Sequence, residues 1–541
     1  MPRSNAAKAA CDACRRRKVK CDAQQPCIRC QNAGLACRTT SIPRKKGRQG
    51  STATVLRELR QAPEQTESLS APSPTGSRTD GHFLRQPGLL NPTVVQSCAE
   101  YFFARMLGTV PIFLPATFQN HVDRMAESLH SYCLVCAFCA FIFTQTGYAS
   151  WQNPDNPTAT PGRSFLEEAL ATRRHLDPFT APIRHGITIA FLLYGCQIGL
   201  GNQRQAYYFL REATTLYTAG MLDQPDAEVD EGRPSFAGSL FWLLLISERA
   251  HAIRRHRPIT LEITSDSPAL DNTHSDSFST GFRCLADLYR PFDQSFLSRW
   301  NGTETSFSRE SLIQLEEHLQ QAVPTDLELP DILLADLRVS QQWLRTMIWQ
   351  LATTAGFLSS TPSHPCLDLR YPLQIARDLS LATWKLSRES MATHGVGLVE
   401  KIFEITCTLA DVMACLSPAR IRSSGFDVGP QDYLKHLCTL IHGLHGGDTK
   451  FLPLLLAKVS QTLPSMLAPI SRHLSLPAAP DSGPSSESEL AEMVSPAAGL
   501  GNTSGWEYKE FNWAEMSRIG DKTPEIERAL PAYTLPLTNI R

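Results

Sequence analysis

The 541-residue chain lacks several features that would assign it to common protein classes. Its first ten residues contain no apolar stretch, which argues against a secretory signal. The longest apolar run, residues 133–143, has eleven residues, whereas a membrane span needs about 20. Segments with the alternating pattern of β-strands are nearly absent. We therefore predict an intracellular protein with reduced cysteines, a helical body and no membrane partner.

Acidic residues are scarce at the N-terminus, although the whole chain is nearly neutral, with 52 Lys+Arg and 53 Asp+Glu. Residues 1–48 contain thirteen basic residues and only two acidic ones, a net charge of +11. The remaining chain has a net charge of −12. This asymmetry indicates a basic module attached to an acidic body, and it favours nucleic acid as the partner of the basic module.

Histidine is also missing from residues 1–81, where six cysteines are the candidate metal ligands instead. They repeat the unit C-x2-C-x6-C and are Cys11, Cys14, Cys21, Cys27, Cys30 and Cys37. Thiolates at this spacing favour Zn²⁺, which takes four tetrahedral ligands. Six thiolates complete two such sites only if two of them bridge, so we predict a binuclear zinc cluster. A disulfide framework, or a zinc site unrelated to DNA, is the alternative.

Residues 11–37 closely resemble the fungal Zn(2)-Cys(6) binuclear zinc cluster family of transcription factors. The match is carried by Cys11-Asp12-Ala13-Cys14-Arg15-Arg16-Arg17-Lys18-Val19-Lys20-Cys21-Asp22, by Pro26-Cys27 and by Cys37. The resemblance implies two Zn²⁺ ions with Cys11 and Cys27 as bridging ligands. It implies one ion held by Cys11, Cys14, Cys21 and Cys27, and the other by Cys11, Cys27, Cys30 and Cys37.

The two halves of this module differ in charge. Five of the six residues between Cys14 and Cys21 are cationic, and none is cationic between Cys30 and Cys37. The first half should therefore enter the major groove of double-stranded DNA. The resemblance implies that Lys18, with help from Arg17, reads guanine edges in a CGG-type half-site. The residues predicted to contact phosphate are Arg15, Arg16, Lys20, Arg44, Lys45 and Lys46, of which the last three also fit a nuclear-import signal.

Residues 92–474 carry apolar residues at three- and four-residue spacing, which predicts an all-helical domain. The predicted helices cover residues 187–200, 206–219, 240–253, 312–323, 335–358, 375–391, 398–415 and 433–444. Residues 191–196, 208–216 and 241–250 resemble the middle homology region of the same regulators, particularly the subgroup that controls amylase, maltose and xylanase genes in filamentous fungi. This second resemblance implies a regulatory role for the helical domain.

The rest of the chain is polar and rich in Ser, Pro and Gly. We predict a disordered N-terminus at residues 1–10, a linker at 38–91 and a tail at 475–541. Residues 51–61 form a candidate dimerisation helix within the linker, but Pro63 ends the pattern before two heptads are complete, so a short amphipathic segment without this role is the alternative. Residues 506–516 interleave aromatic and acidic residues, which is typical of activation segments but also fits a terminal helix packed on the body. The predicted fold class is thus a small binuclear zinc cluster domain joined by a disordered linker to a large all-α regulatory domain.

Three other patterns are interpreted as structural. His130, Cys133, Cys136 and Cys139 recur every three residues, but in a helix the first and last lie about 13 Å apart along the axis, too far for one metal ion. The basic residues 254–257 fit a charged helix end better than a second import signal. Glu212 and Glu248 fit salt-bridged helix faces better than a catalytic carboxylate pair.

These observations predict a nuclear, zinc-dependent, sequence-specific transcription factor rather than an enzyme. We expect an activator of RNA polymerase II transcription, with the transcription machinery, a second copy of the chain and a small-molecule inducer as further candidate partners. On base rates its targets are expected to be a secondary-metabolite biosynthetic gene cluster. The alternative is a regulator of starch, maltose or xylan utilisation genes. A helical enzyme or metabolite-binding protein with an accessory zinc module is the alternative from a different class.

Overall fold

The computed structural model describes residues 10–38, 89–147, 161–177, 183–220, 236–270, 276–304, 308–359, 361–416 and 428–476. The chain forms two compact units, Met1–Gly81 and His82–Arg541. Throughout the described ranges the regular secondary structure is helical, apart from one isolated bridge between Ser359 and Asp368. The predicted small zinc-cluster module and large all-α body are confirmed, and residues 39–88 of the predicted linker lie outside the described residues. The candidate dimerisation helix at 51–61 and the candidate activation segment at 506–516 lie outside the described residues.

The first unit contains two short helices, α1 (Asp12–Arg17) and α2 (Ile28–Gln31). In the second unit, the helices up to residue 289 are α3 (Pro92–Tyr101), α4 (Pro115–Arg124), α5 (Leu129–Thr146), α6 (Pro161–Arg173), α7 (Ile183–Leu200), α8 (Gln203–Gly220), α9 (Phe236–Arg255) and α10 (Ser277–Tyr289). The later helices are α11 (Gln294–Trp300), α12 (Arg309–Ala322), α13 (Asp331–Thr354), α14 (Tyr371–Thr383), α15 (Arg388–Ala392), α16 (Gly395–Cys415), α17 (Pro430–Gly443), α18 (Leu452–Thr462) and α19 (Pro464–His473).

Helix α16 links the two halves of the helical body. In the first half α5 packs against α6 and α7, and α7 packs against α8. In the second half α13 packs against α12, α14 and α16, and α14 and α16 both pack against α17. Because α16 also contacts α5 and α7, one hydrophobic core runs through the body.

Two helices, α5 and α7, are long and apolar enough to cross a membrane by length and composition. The apolar windows of α5 and α7 are, however, 89% and 61% buried inside the protein. Such burial is typical of core helices in a helical protein, where apolar residues surround the whole helix.

The structure divides one predicted helix and shifts another, predicted at 335–358, by four residues to Asp331–Thr354. Residues 375–391 were expected to form one helix, but α14 ends at Thr383 and a separate helix, α15, follows. The Ser387 side chain caps α15 by accepting a hydrogen bond from the Ser390 backbone N–H at 3.1 Å, so a new helix starts there. The helix predicted at 335–358 ends at Thr354, two residues before Gly356, which has the left-handed φ of 69° that commonly follows a helix end.

Candidate metal centre and nucleic-acid interface

The two cysteine repeats begin with the same local structure. The Cys14 backbone N–H donates to Cys11 Sγ at 3.5 Å, and the Cys30 backbone N–H donates to Cys27 Sγ at 3.4 Å. In each half, therefore, the first cysteine of the C-x2-C pair accepts a hydrogen bond at the start of a helical turn. The duplication that is visible in the sequence is present in the backbone as well.

Four sulfur atoms lie together in the buried centre of this module. Cys11 Sγ lies 3.8 Å from Cys27 Sγ and 3.6 Å from Cys30 Sγ. Cys14 Sγ lies 3.5 Å from Cys27 Sγ and 4.0 Å from Cys30 Sγ. Sulfurs bound to one tetrahedral zinc ion at about 2.3 Å would lie about 3.8 Å apart, so these separations are in the range of zinc coordination. This group of four combines the two expected bridging cysteines with Cys14 from one expected site and Cys30 from the other, and so corresponds to neither site alone.

The remaining two cysteines meet this group at Cys27. Cys21 Sγ lies within 4.8 Å of Cys27 Sγ. Cys37 Sγ accepts a hydrogen bond from the Cys27 backbone N–H at 3.3 Å. Cys37 is also a side-chain neighbour of Cys11. Of the two expected bridging ligands, Cys27 thus lies beside all five other cysteines, and Cys11 lies beside Cys14, Cys27, Cys30 and Cys37.

The surroundings of Cys27 favour the thiolate that a metal ion needs. Burial alone would raise the pKa of Cys27, but hydrogen bonds from the Cys30 backbone N–H and from neighbouring thiols lower this pKa to about 6. In contrast, burial and then the Cys27 and Cys11 side chains raise the pKa of Cys14 to about 12. Metal ligands must be thiolates, so zinc binding releases the protons that these thiols carry.

Asp22 has a structural role that the sequence interpretation missed. Its Oδ2 accepts a hydrogen bond from the Ile28 backbone N–H at 3.1 Å, and its Oδ1 accepts one from the Gln24 backbone N–H at 3.4 Å. Asp22 therefore holds the loop that connects the two halves. The only sequence signal was an acidic residue directly after the third cysteine, in an otherwise basic segment.

The cationic residues of the first half are not equivalent in the structure. Arg16, Lys18 and Lys20 are exposed, whereas Arg17 is half-buried and its Nε and Nη1 have no hydrogen-bond partner among the described residues. Lys18 follows α1 directly and has a left-handed φ of 56°. The Arg15 side chain, Arg44, Lys45 and Lys46 lie outside the described part of the structure. Three exposed cations thus lie within five residues around the C-terminal end of α1.

The cysteines of the helical body pack in the core, as predicted. Cys133, Cys136 and Cys139 are all fully buried in α5. Cys133 Sγ donates to the Ala169 carbonyl at 3.4 Å. Burial raises the pKa of Cys133 to about 12, so its thiol stays protonated. In the described residues, the groups that could hold a metal ion all belong to the N-terminal module.

The other two patterns are structural as well. Arg254 and Arg255 form ion pairs with the buried Glu400 of α16, so this basic run is not a surface signal. Glu248 accepts hydrogen bonds from the Thr260 and Leu261 backbone N–H groups at 2.9 and 2.8 Å, which fixes the segment after α9. Arg211 also pairs with Glu248 at 3.2 Å. Glu212 pairs with Arg173.

Comparison with known proteins agrees with this geometry. Residues 9–47 match the family described as the fungal Zn(2)-Cys(6) binuclear cluster domain. The maltose fermentation regulatory protein MAL13 of Saccharomyces cerevisiae is 23% identical over 420 residues, 76% of this chain and 85% of that protein. The probable sucrose utilization protein SUC1 of Candida albicans is 23% identical over 416 residues, 74% of this chain and 78% of that protein. The arabinolytic transcriptional activator araR of Emericella nidulans is 34% identical over 79 residues, 14% of this chain and 10% of that protein. No solved structure matches the chain.

The N-terminal module is thus a fungal Zn(2)-Cys(6) domain, which binds two zinc ions through six cysteines. The helical body is similar to that of the maltose and sucrose regulators. Taken together, the chain is similar to the fungal Zn(2)-Cys(6) transcription factors that have a middle region of the maltose-regulator type.

Proposed function

We propose that this transcription factor acts in the nucleus as an activator of carbohydrate-utilisation genes, with maltose or sucrose metabolism as the target class. The supporting observation is the similarity to maltose and sucrose regulators over about three quarters of the chain, far beyond the zinc domain. The expected biosynthetic-cluster target rested on base rates, and the names of the relatives favour the carbohydrate alternative instead.

Within the zinc module, we propose that Cys11 and Cys27 bridge the two ions. Cys14 and Cys21 would complete one site, and Cys30 and Cys37 the other. The supporting geometry is the 3.8 Å separation of the proposed bridging sulfurs and the position of Cys27 beside every other cysteine of the module. The zinc ions supply folding energy to a module too small to fold on an apolar core.

At the DNA surface, we propose that Lys18 donates hydrogen bonds to guanine edges of a CGG-type half-site. Its exposure at the end of α1 leaves the ammonium group accessible to the major groove. Arg15, Arg16 and Lys20, together with Arg44, Lys45 and Lys46, would contact phosphates and position the module. Arg17 supports Lys18 mainly through its charge, because its guanidinium is partly withdrawn from the surface.

A cleft in the helical body is the candidate site for a small-molecule inducer. It has a volume of about 420 Å³ and is lined by Trp242, Ile263, Thr264, Ser267, Pro268, Ala269, Leu270, Arg283, Asp287 and Arg290. This volume falls within the range of small-molecule sites, roughly 300–1,000 Å³. Guanidinium, carboxylate and hydroxyl groups in one cleft suit the hydroxyl groups of a sugar.

The decisive experiment is to map the promoters occupied by the tagged full-length protein in the native cell, during growth on maltose, on sucrose and on glucose. The proposal predicts occupancy at disaccharide transport and hydrolysis genes, and weaker growth on one disaccharide after deletion of the gene. Occupancy of a biosynthetic cluster, with normal growth on both disaccharides, would contradict it. Dimerisation through residues 51–61 is tested separately by the spacing of half-sites under the binding peaks.

A further inference from the structure

The helical body exposes an apolar patch beside a lysine, here called the Trp384 patch. It consists of Leu381, Trp384 and Lys385 at the end of α14, His436 on α17 and His473 on α19. Leu381 and Trp384 are 50% and 55% exposed, and their three-residue spacing places them side by side on the helix surface. Large apolar side chains exposed together indicate an interaction surface.

The patch is ordered by contacts between its members. The Trp384 ring stacks on the His436 ring with centroids 5.2 Å apart, and His436 Nε2 forms a hydrogen bond with Thr383 Oγ1 at 2.9 Å. The pKa of His436 is lowered by burial and then by the charge of His473, because the two histidines are neighbours. A preordered aromatic surface can bind a partner at a low cost in side-chain entropy.

The charge of the patch predicts the charge of its partner. Lys385 and His473 form no ion pair with the residues that the structure describes. The acids on the adjacent helices are already engaged, because Asp378 on α14 and Asp432 on α17 each lie 3.2 Å from a basic side chain. The matching partner is therefore an acidic segment with exposed aromatic residues.

One such segment occurs in this chain. Residues 506–516 contain four of the five aromatic residues found after residue 476, namely Trp506, Tyr508, Phe511 and Trp513. They also contain three glutamates and only one lysine. The last described residue, Leu476, comes three positions after the end of α19, which carries His473, so residues 477–505 connect the patch region directly to this segment.

We propose that residues 506–516 dock onto the Trp384 patch of the same chain. A patch built around two exposed apolar side chains binds weakly to a free partner, but a tethered segment experiences an effective concentration in the millimolar range. Intramolecular docking is therefore favoured over docking of a second copy. When docked, the segment is not available to other proteins. Docking would also restrain activation, and this consequence, unlike the docking itself, rests on the proposed activator function.

The test uses the full-length protein with photoreactive benzoylphenylalanine in place of Trp384. After irradiation, mass spectrometry should identify a crosslink within one chain to a peptide from residues 506–516. The control carries benzoylphenylalanine in place of Phe278, an aromatic residue on α10 that is 46% exposed. This control should give at least tenfold less of the crosslink to residues 506–516. Crosslinks mainly between two chains, or no enrichment over position 278, would overturn the proposal.

A charge-reversal variant tests the recognition itself. Glu507→Lys, Glu510→Lys and Glu515→Lys together should reduce the crosslink at position 384 at least fivefold. Asp481→Lys, Glu487→Lys and Glu489→Lys change the tail charge equally outside the segment and should leave the crosslink in place. Equal losses in both triple variants would show unspecific tail attraction and overturn the proposal. Neither measurement uses DNA binding or reporter activity, so failure of docking is distinguishable from failure of the proposed regulatory function.

Discussion

The Sγ atoms of Cys11 and Cys27 lie 3.8 Å apart, although sixteen positions separate the two residues along the chain. Each is the first cysteine of its repeat and accepts a backbone hydrogen bond within its own helical turn. Placing the two turns face to face brings the remaining thiols around this pair. The geometry explains how an internal duplication produces one binuclear centre rather than two separate fingers.

Replacing a central sulfur should disrupt both metal positions. We expect Cys27→Ser in the full-length protein to lower the zinc content from two ions per chain to one or fewer, because Cys27 lies beside every other cysteine of the module. Elemental analysis of the purified protein measures this directly. Cys415→Ser, at a half-buried cysteine of the helical body, is the control and should retain two zinc ions. Full zinc occupancy in Cys27→Ser would rule out the bridging assignment.

Lys18→Ala should weaken binding to a CGG-containing duplex by about 1–3 kcal/mol, roughly 5- to 150-fold, with little effect on binding to an unrelated duplex. The reason is that a lysine which reads guanine edges contributes to discrimination as well as to affinity. Fluorescence anisotropy with both duplexes provides the measurement. An unchanged ratio of the two affinities would remove Lys18 as a base-reading residue.

Lys20→Ala is the matched variant for phosphate contact, since Lys20 is also exposed in the same half of the module. For this variant we expect equally weaker binding to both duplexes. The slope of log binding constant against log salt concentration should fall in magnitude by about 1, because one fewer cation neutralises the DNA phosphates. Titrations at several salt concentrations test this. If Lys20→Ala instead changed the preference for CGG while the salt slope stayed constant, the two roles would have to be exchanged.

The parts predicted from the sequence are those that depend on local spacing. Cysteine spacing predicts the zinc cluster because ligand number and tetrahedral geometry leave few solutions, and apolar periodicity predicts long helices such as α7 and α13. The division of residues 375–391 into two helices depends on the cap at Ser387, which periodicity alone does not contain. The ion pairs of Arg254 and Arg255 with Glu400 join positions about 145 residues apart, and only the packed fold brings them together.

This buried ion cluster should be important for the stability of the body. Glu400→Gln removes the buried carboxylate that pairs with both Arg254 and Arg255, for which we expect a loss of about 3–5 kcal/mol in the free energy of unfolding. Urea unfolding followed by tryptophan fluorescence measures the change. The control is Glu389→Gln, whose ion pair with Arg105 is exposed and should contribute about 0–1 kcal/mol. Similar losses in the two variants would contradict a special role for the buried pair.

Glu404, which lies on α16 beside this cluster, should make the stability of the body depend on pH. Burial, and then the charge of Glu400, raise the pKa of Glu404 from 4.5 to about 7, although Arg254 and a hydrogen bond from Trp343 oppose the shift. The folded protein therefore holds a proton that the unfolded chain releases, so this contribution is complete below pH 4.5 and is lost as the pH rises through 7.

Glu404→Gln keeps an acceptor for the Trp343 N–H but removes the titration. We expect the wild-type protein to lose more stability than this variant when urea midpoints are compared at pH 5.5 and 7.5. Burial and nearby arginines lower the pKa of His251 to about 3, so its contribution to the stability of the protein increases as the pH rises to 6.5. Both proteins contain His251, so this contribution cancels in the comparison. Parallel pH profiles for the two proteins would show that Glu404 is already ionised across this range.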